Sequence, residues 1–418
     1  MVSAPTPAST RVATLDVIRG VAVMGILIMN IVAFAMPEVA YSNPAAFGSH
    51  GSVDYGVWAV NFVAVDGKMR GLFSFLFGAS MLLVIERAGA KGENPLRVHY
   101  ARMFWLLLFG LAHLYFVWWG DILHHYALVG MLAYAFRKMP PHQLVIGAII
   151  LLVLETLLIS FLPYDVHQTN ITVQAGHAGA DVLRRYQNYI QSFGQPDQAF
   201  LAKDVAAHRG GYATVFADRL HVAIASPVQT LMFVGMETLG YMLLGMACFK
   251  SGMLGGAWPR ARYRKWMTIG FGIGIPVYVA LLILQVRGGF DAYWVALCAL
   301  TLSTPFRPLM IIGWACLIIL LARPGGALTE RIGAAGRMAF SNYLGTSLIC
   351  STLFYGYGGG LYGQLSRAEL YIVVAAIWAL MLLWSKPWLE HFRYGPFEWL
   401  WRSLARGRLQ PMRGAAAD

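Results

Sequence analysis

Apolar runs of membrane-spanning length alternate with short polar segments along almost the whole chain. Val17 to Met36 is the first, and ~20 residues at ~1.5 Å rise each cross a ~30 Å hydrocarbon core. Pro37 ends it, and residues 37–52 form a polar loop without Lys or Arg. A two-part element follows, Val53 to Val65 and Leu72 to Ile85, around the joint Asp66-Gly67-Lys68-Met69-Arg70-Gly71. That joint is too charged to face lipid: either the first part lies in the interface, or the joint lines a wet cavity. Met103 to Trp119 and Asp121 to Phe136 are joined almost without a loop, which predicts antiparallel neighbours with Gly120 at the corner. Leu144 to Leu162 leads into residues 163–219, the only long polar segment, where Asp181 to Phe193 carries apolar residues near a 3.6 period. Leu220 to Phe249, Met267 to Val286, Tyr293 to Leu321, Met338 to Tyr355 and Leu370 to Trp384 complete the apolar runs, and a basic, aromatic tail follows Lys386. Tyr293 to Leu321 is broken at Ser303-Thr304-Pro305-Phe306-Arg307-Pro308, as in interrupted helices that line cavities.

The reading is an all-α polytopic bundle of about ten spanning helices. Its regions are residues 1–162, a polar outer segment 163–219, and residues 220–418.

Composition agrees. Of 418 residues, 58% are hydrophobic and 12% charged, far below the ~25% charged of soluble chains. The net charge of +12 resides in the short connecting segments, as in Arg87, Lys91, Arg97 and Arg102, so it reports topology and anionic-lipid contact, not nucleic-acid binding. Every connection except the long one obeys the positive-inside rule with both termini cytoplasmic. Cys248, Cys298, Cys316 and Cys350 lie in apolar runs without CxxC spacing, and neither a zinc site nor a disulfide framework is indicated. The first ten residues lack a basic n-region, and no small-residue cleavage signal follows the first apolar run, so an uncleaved first helix is expected.

Several segments together resemble the YeiB family of bacterial inner-membrane proteins, whose C-terminal part is the DUF418 domain. They are Leu15-Asp16-Val17-Ile18-Arg19-Gly20 with Asn30-Ile31, Gly67-Lys68-Met69-Arg70 with Leu72-Phe73-Ser74-Phe75, Gly120-Asp121-Ile122-Leu123, Gly336-Arg337-Met338-Ala339 with Asn342-Tyr343-Leu344, and Gly395-Pro396-Phe397-Glu398-Trp399. The first third also resembles transmembrane acyltransferases, the heparan-α-glucosaminide N-acetyltransferase family and more distantly the acyltransferase-3 enzymes. That resemblance implies transfer from cytoplasmic acyl-CoA, as co-substrate, to an acceptor across the membrane, by an Asn in the opening helix and a His in the following loop. Asn30 falls on the Asn position; His50 is the only His in that loop, though further from the Asn than in the pattern. The resemblance also implies a homodimer.

Candidate chemistry centres on the hairpin. Asp121 stands i,i+3 to His124 and i,i+4 to His125, so its carboxylate is placed to orient either ring as a general base. It is equally placed to cap the helix that follows. Adjacent histidines point to different sides of a helix, which disfavours a metal site, and no metal is expected. His113 is placed either to join a polar cluster with Tyr126 or to bond a backbone carbonyl. Asp66, Lys68 and Arg70 form a charge group suited to an anionic substrate group or to an ion pair at the joint. Arg19, Arg102 and Arg337, with Asn342, are the acyl-CoA candidates at the cytoplasmic face, where most arginines simply satisfy topology. Intramembrane Glu155 and Glu237 support a small-metabolite transporter or permease as the alternative, and the long polar segment with the basic tail a non-catalytic lipid-binding scaffold.

Overall fold

The computed structural model describes residues 8–413 and is helical throughout that range, with one isolated bridge between Phe392 and Arg413. Residues 1–7 and 414–418, which include most of the Ser/Thr/Pro/Ala-rich opening, lie outside the described residues. Among the described residues, seven helices are long and apolar enough to cross a membrane: 13–35, 52–90, 141–174, 226–250, 260–287, 292–321 and 370–391. The protein is therefore an all-α helical membrane bundle. The other three expected spans are also helices, Pro95–Phe116, Leu123–Ala133 and Ala339–Phe354; the first begins ahead of the expected Met103 with turns that carry Arg97 and Arg102, and the others have 11 and 16 residues.

The first helix is the centre of the bundle. Its span is 78% buried, against 22% for the spans in 141–174, 260–287 and 370–391, which face outward. Its opening motif explains one close contact. A Cβ on Gly20 would sit 2.1 Å from the Ile332 carbonyl oxygen, and a Cβ on Gly336 would sit 1.9 Å from that of Asp16. The first helix and Ala327–Arg337 thus meet backbone to backbone through one glycine from each, the usual way that membrane helices approach closely.

The broken helix is resolved into a π-helical stretch Ala296–Leu302, a 3₁₀ turn Thr304–Phe306 and the helix Arg307–Leu321. Pro305 and Pro308 cannot donate to an α-helical ladder, and the break turns Arg307 into the bundle. Phe161–Gln174 continues the spanning helix 141–174, and the rest of the polar segment forms three helices, Ala180–Phe193, Gln198–His208 and Tyr212–Ala223, at that end of the bundle. Fully buried Asn43 anchors it: its amide donates to the carbonyls of Phe193, Gly194 and Phe290 at 2.9, 2.7 and 2.9 Å. At the opposite, arginine-rich end, Glu398 of Pro396–Arg406 caps Ala339–Phe354, accepting from the backbone N–H groups of Phe340 and Ser341 at 2.7 and 3.0 Å.

Candidate functional site

The turn between Pro95–Phe116 and Leu123–Ala133 carries a buried Asp with two histidines. Asp121 Oδ2 lies 2.7 Å from His113 Nδ1, and Oδ1 lies 2.8 Å from His124 Nδ1. The same Oδ1 accepts the backbone N–H of His124 at 3.0 Å, so the carboxylate caps the helix and orients both rings. All three side chains are buried, at 5%, 3% and 0% exposure for Asp121, His113 and His124. Gly110 makes this possible: a Cβ there would stand 2.2 Å from the His124 nitrogen, and any larger residue would push apart the two helices that supply the rings.

An ionised carboxylate only accepts hydrogen bonds, so both rings donate through Nδ1. In the neutral imidazoles this leaves each Nε2 as a lone-pair base, and both Nε2 atoms are buried without a hydrogen-bond partner. His125 faces the other way, since neighbours on a helix diverge by ~100°. Its Nε2 lies 2.9 Å from Thr238 Oγ1. His113 joins Asp121, while Tyr126 instead donates to the Arg70 carbonyl at 3.3 Å and lies 3.3 Å from Ser74 Oγ.

Beside the cluster is a small cavity of about 10 Å³, room for about one water, lined by Ile26, Asn30, Phe34, Tyr343, Ser347 and Met381 among others. Tyr343 stands between the two, its ring centre 5.4 Å from that of His113. Phe34 stacks on buried Trp118 at 3.9 Å, which closes the cavity on the side of the hairpin corner. Tyr343 thus lines the Asn30 cavity and also lies against the Asp121 cluster. His50 is exposed on the loop, its backbone N–H donating to Asp54 Oδ2 at 2.9 Å, and no contact among the described residues joins it to Asn30 or to the hairpin.

A second buried cluster centres on Glu237. Its carboxylate accepts from Arg307 Nη1 and from the Tyr241 hydroxyl, both at 2.6 Å, and pairs with Arg70 Nη2. Arg307 also donates to Ser303 Oγ and to the Ala299 carbonyl, at 2.7 and 2.8 Å. Glu155 Oε2 accepts the Glu237 backbone N–H at 3.3 Å, and its Oε1 is buried without a partner. The charged joint is divided: Arg70 faces Glu237, whereas fully buried Lys68 donates to the Phe62 carbonyl at 2.5 Å and lies 3.2 Å from the centre of the Tyr278 ring. Half-buried Asp66 forms no ion pair with either among the described residues.

At the arginine-rich end, Arg19 pairs with Asp16 at 2.9 Å and donates to Ser80 Oγ at 2.7 Å. Arg102 lies 4.1 Å over the Trp401 ring. Arg337 is exposed. Asn342 is buried and fully occupied, donating to the Ala335 carbonyl and Ser385 Oγ and accepting from Trp384 Nε1. Thr238, Tyr343 and Arg307 had no signal as partners in the sequence: each meets its cluster from more than a hundred or some seventy residues away. The break around Pro305 is the one feature that marked Arg307's neighbourhood.

Residues 248–408 match the profile of a family described as "Protein of unknown function (DUF418)". Over 98% of its length the chain is 31% identical to "Uncharacterized protein YxaH" of Bacillus subtilis (strain 168), of which it covers 97%. Over 94% of its length it is 32% identical to "Uncharacterized protein YeiB" of Escherichia coli (strain K12), of which it covers 96%. No solved structure matches.

Proposed function

From the premise that this chain belongs to the family of membrane proteins that contains YeiB and YxaH, with a DUF418 region in its C-terminal part, we propose that it is a membrane acyltransferase. It takes an acyl group from cytoplasmic acyl-CoA to a periplasmic-side or lipid-linked acceptor, and it resides in the bacterial inner membrane.

The observation that carries this reading is one buried carboxylate holding two imidazoles by Nδ1, with both Nε2 atoms unpartnered. That is the arrangement of a general base fixed in one tautomer. In the reaction, Nε2 of His113 or His124 removes the proton of an acceptor hydroxyl or amine. The acceptor atom bonds to the thioester carbonyl carbon, the carbon–sulfur bond breaks, and the imidazolium returns the proton to the leaving thiolate. Asn30, which lines the cavity together with Tyr343, donates in this reading to the developing oxyanion. Arg19, Arg102 and Arg337 offer positive charge to the nucleotide end of the donor. The test is transfer of a radiolabelled acyl group from acyl-CoA into membrane extract by the purified chain in nanodiscs. Label in the extract supports the reading; absence of both transfer and acyl-CoA binding overturns it.

A second reading, a small-metabolite transporter, is favoured by Glu155, whose Oε1 is buried without a partner beside the Glu237 ion cluster.

A further inference from the structure

The end of the bundle covered by the polar helices holds a cleft that neither proposed chemistry uses. Its volume is about 50 Å³, room for a group of a few heavy atoms, and it opens to solvent. Its walls come from five separate parts of the chain: Glu38 after the first helix, Trp119 at the hairpin corner, Asp204 and His208, Arg219, and Tyr355 with Tyr362.

One wall lacks a partner for its charge. Arg219 is 3% exposed; its Nη1 donates to the Tyr115 carbonyl at a long 3.5 Å, and its guanidinium lies 6.0 Å from the centre of the Tyr355 ring. Its Nη2 has no hydrogen-bond partner, and no carboxylate pairs with it among the described residues. The hydroxyl of fully buried Tyr355 is likewise unpartnered. A buried guanidinium is costly without an anion, and two unsatisfied donors on one cleft call for an acceptor between them.

The cleft also carries negative charge. Glu38, Asp204 and Asp218 line it. Asp204 is held in place, accepting the Tyr362 hydroxyl at 2.8 Å, while His208 lies flat on Tyr362 with ring centres 4.2 Å apart. Carboxylates lining a cleft together with the indole of Trp119 are surroundings that suit an ammonium group.

We propose that this cleft binds a zwitterion, with an ammonium group toward Glu38 and Asp204 and a carboxylate or phosphate on Arg219 and Tyr355. The source is a free small molecule or the head group of a zwitterionic lipid. Binding does not depend on the acyl-transfer reading and holds equally for a transporter.

The experiment uses the full chain in nanodiscs of anionic phosphatidylglycerol, titrated with glycine and with O-phosphoethanolamine and followed by calorimetry. Ethanolamine, acetate and inorganic phosphate serve as single-charge controls. Saturable binding of a zwitterion at least about tenfold tighter than the controls is expected, because each control leaves one charged wall unpaired. Arg219→Gln abolishes that preference while ethanolamine binding is kept. If the head group is the source, nanodiscs made with phosphatidylethanolamine raise the melting temperature of the wild-type chain over phosphatidylglycerol alone, and Arg219→Gln removes the increment. Comparison of ligands on the wild-type chain needs no variant to fold. Equal binding of zwitterion and controls, or no zwitterion binding together with no lipid-dependent increment, overturns the proposal.

Discussion

Asp121 Oδ2 lies 2.7 Å from Nδ1 of His113, a residue on the preceding helix, while its other oxygen holds His124. The capping and base-orienting roles that the sequence left open are one arrangement, because Oδ1 accepts both the backbone N–H and the ring of His124. The two histidines therefore differ from His125, which bonds Thr238. His113→Asn and His124→Asn are each expected to lower acyl transfer by about 10²-fold or more, with His125→Asn within about tenfold of wild type. Initial rates in nanodiscs, with melting temperatures as the folding control, check this order; a His125 variant as impaired as the other two would contradict it.

Gly110→Ala places a methyl group 2.2 Å from the His124 nitrogen. Overpacking of this kind costs about 1–3 kcal/mol. The expected result is a lower melting temperature together with a loss of transfer, since the helices that carry His113 and His124 are forced apart.

Glu237 neutralises both Arg70 and Arg307 inside the bundle. Glu237→Ala leaves two guanidinium groups facing each other and is expected to cost about 3–5 kcal/mol. Glu237→Ala combined with Arg307→Met should recover part of that loss, measured as unfolding in mixed detergent. A Glu237→Gln variant that folds normally and retains acyl transfer assigns the cluster to structure; one that folds but loses uptake of a metabolite favours the transporter.

The polar helices carry a pH dependence. Burial raises the Asp204 carboxyl above its ordinary value of 3.8. His208 and the Tyr362 hydroxyl oppose the rise at Asp204, and Asp218 adds to it. The docked segment thus holds a proton that the detached one releases. Its contribution is fully present below the ordinary value and is lost as pH rises from about 4 through the raised one. Proteolysis of residues 198–223 should accelerate over that window, and Asp204→Asn should flatten the dependence. Protection that increases with pH in the wild type would contradict it.

Local pattern made the helices, the Gly120 corner and the polar segment's amphipathic helix legible, because each is set by period and turn residues within a few positions. Asp121 with His124 was legible for the same reason, being i,i+3. His113, Tyr343 and Asn30 converge only through packing of three helices, and spacing along one helix carries no information about that. The Lys68 and Arg70 pair shows the converse: two residues apart, they face different neighbours, Tyr278 and Glu237, because a helix turns ~200° between them. The cleft around Arg219 was invisible, since its walls come from residues 38 to 362 with no shared motif.

The central claim is that Asp121 sets two imidazoles as bases for acyl transfer. Its most direct measurement compares the wild-type chain with Asp121→Asn in nanodiscs, following the rate at which label moves from acyl-CoA to acceptor. Asn keeps the size and a cap acceptor, but it turns a donor toward one ring and forces that ring into the other tautomer. The account predicts a fall of about 10²- to 10⁴-fold with the melting temperature nearly unchanged and acyl-CoA binding retained. Equal rates in the two proteins, or no transfer by a wild-type chain shown to be folded, would contradict it.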